Sequence, residues 1–235
     1  MSNSSSKHPP QLRCKNGVKR GGLRKGQRSR LNGGSPKGRQ KSKVKTLKKK
    51  QGKIFVISAP SGTGKTTLAD ILLRSRPGFI RSVSYTTRKP RGSEKNGRDY
   101  HFISKADFFK KIKEGFFAEW AKVYADYYGT SKEFLGNALK SGKNAALVID
   151  TQGAFQIRRM YPGSVLVFIA PPSFKELKRR LVGRGTEKSG SVAKRLVKAR
   201  KEMRESRRYT HIVVNDNLKK ASGELKRIIT GYLRK

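Results

Sequence analysis

The sequence contains one cysteine, Cys14, in 235 residues. A disulfide needs two cysteines, so the chain is not a scaffold held together by its own disulfides. Long apolar runs are also missing: residues 164–171 have the length of a strand, whereas a helix needs roughly 20 apolar residues to cross a bilayer. We therefore expect a soluble protein in a reducing compartment, with no membrane partner, and we predict a cytoplasmic location.

Acidic residues are scarce: 15 Asp and Glu stand against 57 Lys and Arg, which gives a formal net charge of +42. Residues 1–50 hold seventeen of the basic residues and no acidic one. This segment is rich in Ser, Gly, Asn and Pro and has few aliphatic side chains, too few to offset the entropy lost when a chain becomes ordered. We predict that residues 1–50 are a disordered basic extension and that residues 51–235 form the globular domain.

Three interpretations of this basic extension stay open. It is a solvated segment without a partner, or an arm that binds a polyanion such as a nucleic acid, because dense Lys and Arg displace counterions from a phosphate backbone. The third interpretation is an organelle transit peptide, which also lacks acidic residues. The transit peptide is the least favoured of the three, since lysines are numerous and no amphipathic helical stripe is visible.

From residue 53 onward, strand-like and helix-like segments alternate. Short runs rich in Val and Ile, without alternating polar residues, are typical of parallel strands covered on both faces. The predicted strands are residues 54–59, 145–150, 165–170 and 211–215, and the predicted helices are residues 65–74, 152–160, 173–182, 192–206 and 219–233. This alternation predicts an α/β fold with a parallel sheet and right-handed crossovers.

Residues 81–131 interrupt this alternation. The segment is aromatic and rich in turn residues, and parts of it alternate in polarity, as in residues 82–85. Such a pattern is typical of strands in a small, half-exposed sheet. We therefore predict a small β-rich insertion over about residues 81–131, with the core formed by residues 51–80 and 132–235.

A phosphate-binding loop is predicted between the first strand and the first helix. Glycines let successive backbone N–H groups curl around a phosphate, and the helix that begins at Lys65 directs its positive end at the same anion. Lys65 is placed to reach the terminal phosphates, and the hydroxyl of Thr66 suits Mg²⁺. The loop comprises Ala59, Pro60, Ser61, Gly62, Thr63, Gly64, Lys65 and Thr66. It nearly fits the P-loop pattern, with Ala59 where that pattern has glycine, and it predicts a nucleoside triphosphate site.

A P-loop does not identify the acceptor, but several further motifs do so together. They are Ser84-Tyr85-Thr86-Thr87-Arg88-Lys89-Pro90-Arg91, Asn96-Gly97-Arg98-Asp99-Tyr100, Glu119-Trp120, Tyr127-Tyr128-Gly129-Thr130 and Ile149-Asp150-Thr151-Gln152-Gly153. With the P-loop, these motifs closely resemble the guanylate kinases from about residue 53 to the C-terminus. The resemblance implies a P-loop kinase core, an inserted acceptor-binding subdomain and a short helical lid at about residues 184–195. It also implies transfer of phosphoryl from ATP to GMP, and to dGMP, with Mg²⁺.

The resemblance assigns a set of residues to the acceptor. The implied GMP-binding residues are Ser84, Arg88, Arg91, Tyr100, Glu119, Tyr128 and Thr130. Paired arginines suit a phosphate dianion because guanidinium groups donate two parallel hydrogen bonds. A glutamate suits guanine because its carboxylate accepts from N1–H and from the exocyclic amine, a donor pair that adenine lacks.

The resemblance also assigns the residues of the transfer step. The implied catalytic residues are Lys65, Arg88, Asp150, Arg184 and Arg195, with Thr66 and Asp150 at the metal and Asn215 beside the adenine of ATP. Arg184 and Arg195 belong to the lid, where cations stabilise charge on the transferring phosphoryl group. Many relatives carry a second acid two residues before Asp150, whereas this chain has Val148, which leaves one fewer carboxylate to organise metal-bound water or the acceptor nucleoside and concerns GMP affinity more than the activity itself.

Two other functions stay open at this point. A guanylate-kinase-like interaction module would keep the fold but typically lose phosphate-loop or lid residues, whereas Lys65, Thr66, Arg88, Arg91 and Arg184 are all present. A P-loop kinase for another phosphorylated acceptor would use the same donor loop without reading guanine. Parallel assays with different nucleoside monophosphates separate these possibilities.

Overall fold

A computed structural model describes residues 51–183 and 189–234, with side chains described again from residue 192. The predicted basic extension and Arg184 lie outside the described residues, so what was predicted for them stays a prediction. Within the described residues no helix is long and apolar enough to span a bilayer.

The described elements mostly alternate between strands and helices, but at residues 79–102 and 117–131 strands follow one another directly. In order they are β1 (Ile54–Ser58), α1 (Lys65–Arg74), β2 (Phe79–Arg81), β3 (Tyr85–Thr86), β4 (His101–Phe102), α2 (Lys105–Lys113), β5 (Phe117–Val123), β6 (Asp126–Ser131), α3 (Lys132–Lys140), β7 (Asn144–Val148), α4 (Thr151–Met160), β8 (Val165–Ala170), α5 (Phe174–Val182), α6 (Ser189–Glu205), a 3₁₀ turn (Ser206–Arg208), β9 (His211–Val214) and α7 (Leu218–Leu233).

The core sheet has five parallel strands in the order β2-β7-β1-β8-β9. Its central strand β1 is buried at every residue. Phe55 and Ile57 pack into one apolar cluster with α1 and α7, and Ile54 and Val56 pack into a second cluster on the other face. Burial on both faces explains why these strands are continuous apolar runs in the sequence. The predicted α/β fold with a parallel sheet is confirmed.

A second sheet of four strands, in the order β4-β3-β6-β5, lies within residues 85–131. Its pairing is mostly antiparallel, and only β3 and β4 run parallel. Helix α2 covers it by burying Phe108, whose ring stacks on that of Phe117 at a centroid distance of 4.6 Å. This sheet falls inside the predicted β-rich insertion and supplies the acceptor half of the site described below.

Each predicted core strand and helix is present, with ends shifted by up to three residues. The largest shift is in α6, predicted to start at residue 192 and observed to start at Ser189. Sequence reasoning missed β2, α2 and α3. The two missed helices begin after Ser104 and Ser131, whose side chains accept hydrogen bonds from Asp107 N and Phe134 N. A serine directly before a helical segment is a signal of helix start, so these two helices could have been predicted from the sequence.

Candidate active site

One cavity of about 390 Å³ lies where the carboxyl ends of β1 and β7 face the second sheet. Ligands bind at this edge of open parallel sheets because the loops that follow the strands meet there. Predicted residues from both halves of the site line the cavity: Pro60, Ser61, Gly62, Gly64, Lys65, Thr66, Ser84, Arg91, Tyr100, Glu119, Tyr128, Asp150 and Arg195. The structure therefore brings the predicted donor and acceptor residues to a single space.

Five other predicted residues that the structure describes are not part of the cavity lining. They are Ala59, Thr63, Arg88, Thr130 and Asn215, all of them buried. The side-chain amide of Asn215 donates to Thr63 O at 2.7 Å, so it anchors the phosphate-binding loop. The contact between Asn215 and adenine stays a prediction.

The phosphate-binding loop takes a backbone conformation that requires glycine at two positions. Gly62 and Gly64 have φ angles of 91° and 84°, in the left-handed region. A Cβ on Gly64 would lie 2.7 Å from Asn215 Nδ2. Gly64 also forms the N-cap of α1, so the free N–H groups at the start of the helix point into the cavity. This arrangement suits an anion such as a phosphate.

We expect Gly64→Ala to lower turnover by about tenfold, because a strained and displaced loop no longer presents its N–H groups correctly. The measurement is kcat and the KM for ATP, together with thermal melting. Gly223→Ala in α7 is the matched control, since a Cβ there meets no atom within 4 Å and alanine favours a helix. Wild-type kinetics in the Gly64 variant would contradict the assigned role of this loop.

Lys65 is the cation of this loop. Burial lowers its pKa, and the nearby carboxylates of Glu202 and Asp150 act in the opposite direction. The side chain is therefore a partly desolvated ammonium group inside the cavity, where its attraction for a phosphate is stronger than in bulk water.

Asp150 lies between β7 and α4, and its two carboxylate oxygens make different contacts. Its Oδ1 accepts from Gly153 N at 3.0 Å and caps α4, while Oδ2 lies 3.4 Å from Lys198 Nζ. The described residues contain no cluster of three His, Cys, Asp or Glu that could hold a metal by itself. Mg²⁺ typically uses one or two carboxylates plus substrate phosphates and water. Asp150 and the exposed Thr66 therefore fit a Mg²⁺ ion that arrives with a nucleotide.

The acceptor half of the cavity contains a buried carboxyl group. Glu119 on β5 is 3% exposed, and Thr130 Oγ1, directly opposite on β6, donates to its Oε1 at 2.6 Å. Burial raises the pKa of Glu119 to about 7, although the bond from Thr130 opposes the shift. A Cβ on Gly153 would lie 2.3 Å from Glu119 Oε2, so the glycine makes room for this carboxyl group.

Arg91, Tyr100 and Tyr128 line the acceptor end of the cavity, and Arg88 is buried beside them. Arg88 is 9% exposed, donates to Glu94 Oε1 at 2.8 Å, and lies 5.2 Å from the centre of the Tyr100 ring. Burial opposes the charge of Arg88, but the bond to Glu94 keeps its pKa above the usual value. Arg91 N donates to Glu94 Oε2 at 2.8 Å. Glu94, which the site prediction omitted, thus sets the shape of the turn that carries both arginines.

The tyrosine next to these arginines keeps its proton. Burial raises the pKa of Tyr100, and its ring lies 6.0 Å from that of Tyr128. Its hydroxyl is therefore a hydrogen-bond donor at neutral pH. Arg91 and Tyr100 both line the cavity, and a guanidinium group and a phenol at one site are complementary to a phosphate monoester.

The chain matches the model of the family "Guanylate kinase" over residues 51–232. It is 48% identical over 180 residues to the guanylate kinase of Neisseria gonorrhoeae, covering 77% of this chain and 88% of that protein. It is 45% identical over 181 residues to that of Geobacter metallireducens, covering 77% and 89%. The chain belongs to the guanylate kinase family. The crystal structure of guanylate kinase from Anaplasma phagocytophilum has a TM-score of 0.66 at 31% identity, covering 80% of this chain and 89% of that one.

The predicted family and fold class are thus confirmed. Of the two predicted lid arginines, Arg195 lines the cavity from α6, and Arg184 lies outside the described residues. Val148 is half-buried and also lines the cavity. The effect of Val148 on GMP affinity stays a prediction.

Sequence reasoning missed two charged residues of α6 that lie near the guanylate kinase site. Lys198 Nζ lies 3.6 Å from Glu202 Oε1 as well as 3.4 Å from Asp150 Oδ2. Glu202 is 6% exposed, and burial raises its pKa to about 7. The four-residue spacing of Lys198 and Glu202 on a predicted helix indicates an ion pair, but only the folded chain shows that Asp150 joins it.

Proposed function

We propose that this chain transfers a phosphoryl group from ATP to GMP, giving ADP and GDP, in purine nucleotide metabolism. The observation that carries the proposal is the shared cavity: the phosphate-binding loop with Lys65 faces the same space as Glu119, which accepts a hydrogen bond from Thr130 behind it. Two nucleotides held in this space would meet through their phosphates. Holding two reactants in line is a large part of what phosphoryl transfer requires.

The donor half holds the phosphates of ATP. The N–H groups of the loop and the start of α1 bind phosphate oxygens, and Lys65 neutralises the charge that gathers on them during transfer. When bound beside Thr66 and Asp150, Mg²⁺ supplies further charge neutralisation to the same oxygens. Arg195, which lines the cavity from α6, is placed to stabilise the transferring group.

The acceptor half binds and recognises GMP. Arg88, Arg91 and the Tyr100 hydroxyl surround the phosphate, and ionised Glu119 accepts from N1–H and the amine of guanine. Adenine lacks this pair of donors and would leave the buried carboxylate without hydrogen-bond partners, so binding of adenine is unfavourable. The attacking phosphate oxygen of GMP is already anionic, so no general base has to remove a proton.

The test is a coupled assay that supplies GMP, dGMP, AMP, UMP and CMP in parallel with ATP and Mg²⁺. We expect turnover with GMP and dGMP and little turnover with the other three acceptors. Preference for a base other than guanine would support a different acceptor, and no turnover with any of them would support an interaction module.

The remaining predictions rest on the sequence alone. The cytoplasmic location stays a prediction. We also propose a polyanion contact through residues 1–50, because that segment combines many basic residues with no acidic one.

A further inference from the structure

Helix α6 packs on the core through Met203 and on α5 through Ala199, and one charged side chain also links it to the site. Lys198 Nζ lies 3.4 Å from Asp150 Oδ2 at the end of the β7 segment, and 3.6 Å from Glu202 Oε1 on its own helix. The Lys198 side chain is 24% exposed, and those of the two acids are 11% and 7% exposed. The ammonium group thus bridges two largely buried carboxylates that belong to different elements.

The acceptor sheet approaches the same ammonium group from a third side. The ring of Tyr124 lies 5.2 Å from Lys198 Nζ, within reach of a cation–π contact. Tyr124 stands in the turn between β5 and β6 with a φ of 59°, and it also interacts with Ser61 of the phosphate-binding loop. Lys198 therefore lies where α6, the core and the acceptor sheet meet.

The bridge is costly to break. Separating two opposite charges in a largely buried setting is unfavourable. Glu202 moves with Lys198 on α6, so a shift of α6 away from the core would take the ammonium group from Asp150. Among the described residues, the Asp150 carboxylate would then keep only its bonds from Gly153 N and Gln152 Nε2. The bridge consequently favours one position of α6 relative to the end of β7.

Arg195 precedes Lys198 by three residues, which places the two side chains on the same side of a helix. It lines the cavity together with Asp150 and Lys65. On the basis of the proposed function, we propose that Lys198 is a positioning residue: by fastening α6 to Asp150, it holds Arg195 beside the transferring phosphoryl group. Lys198 acts through Arg195 and needs no contact with a nucleotide.

The test is a double-mutant cycle on the full chain with kcat and both KM values as readouts. We expect Lys198→Met to lower kcat by about tenfold, with the KM for GMP within about twofold of wild type, and Lys198→Arg to restore most of kcat. In an Arg195→Ala background, Lys198→Met causes no further loss. Lys201→Met is the matched control, because Lys201 is an exposed lysine on the same helix, and thermal melting verifies that every variant is folded.

Two results overturn the proposal. Wild-type kcat in Lys198→Met shows that the bridge is dispensable, and an equal loss in the Arg195→Ala background shows that Lys198 acts independently of Arg195. Neither result affects the proposed function, which fails only if the wild-type chain does not phosphorylate GMP.

Discussion

Lys65→Ala lowers kcat for GMP phosphorylation on the order of a hundredfold to a thousandfold, in the range found when one group that stabilises transition-state charge is removed. Its partly desolvated ammonium group lies in the cavity at the start of α1, where alanine offers no substitute. The measurement is the coupled ATP and GMP assay at saturating concentrations of both substrates.

Lys140→Ala is the control for this variant, since Lys140 is an exposed lysine at the end of α3. Its turnover should equal that of the wild type. Thermal melting distinguishes lost chemistry from lost structure. A Lys65 variant that is folded and retains full turnover would contradict the assignment of the donor site.

Glu119→Gln lowers kcat/KM for GMP on the order of a hundredfold and relaxes the choice of base. A neutral amide oxygen is a weaker acceptor than a carboxylate oxygen. In addition, the NH₂ group of the glutamine is a donor that would face the donors of guanine. The measurement compares kcat/KM for GMP and AMP in the two proteins. Glu133→Gln, an exposed acid on α3, is the control, and an unchanged ratio of GMP to AMP would exclude Glu119 from base recognition.

The same variant tests the ionisation of Glu119 through stability. Burial raises its pKa from 4.5 to about 7, so the folded chain holds this proton more tightly than the unfolded chain does. Between these two values the free energy of unfolding therefore falls as pH rises, by up to about 3 kcal/mol above pH 7. Glu119→Gln removes this loss, so the variant should melt higher than the wild type at pH 8, and the advantage should shrink at pH 5.

Ionisation of Glu119 also predicts how GMP binding depends on pH. A protonated carboxyl group cannot accept from both guanine donors, so the KM for GMP of the wild type should rise as pH falls below about 7. In the stability measurement, Glu202 also has a raised pKa. It is present in both the wild type and Glu119→Gln, so its contribution cancels when their melting is compared. A stability difference between wild type and Glu119→Gln that stays constant from pH 5 to pH 8 would show that the pKa of Glu119 is not raised in the folded chain.

Local sequence patterns predicted the donor half of the site, because its parts are consecutive. The strand, the glycine turn and the helix that begins at Lys65 occupy residues 54–74, and helix α1 has the predicted bounds. Local patterns of this kind cannot predict contacts between residues that are far apart in the sequence. Lys198 and Asp150 are 48 positions apart, and no periodicity in the sequence predicts that they meet.

For the acceptor half of the site, the sequence allowed candidate residues to be assigned but did not predict how the strands that carry them pair. The resemblance assigned Glu119 and Thr130, while the register of β5 and β6 pairs them directly and explains the hydrogen bond between them. Strands β3 and β4 have two residues each, too short for a pattern of alternation. Their position is decided by pairing with partners elsewhere in the chain, which is a property of the folded sheet.

The most direct measurement is a crystal structure of the full chain with GMP and a non-hydrolysable ATP analogue bound together. We expect guanine against Glu119 and Thr130, the GMP phosphate beside Arg88 and Arg91, and the terminal phosphate of the analogue at Lys65. GMP bound outside this cavity, or a guanine base with no contact to Glu119, would contradict the two-nucleotide arrangement.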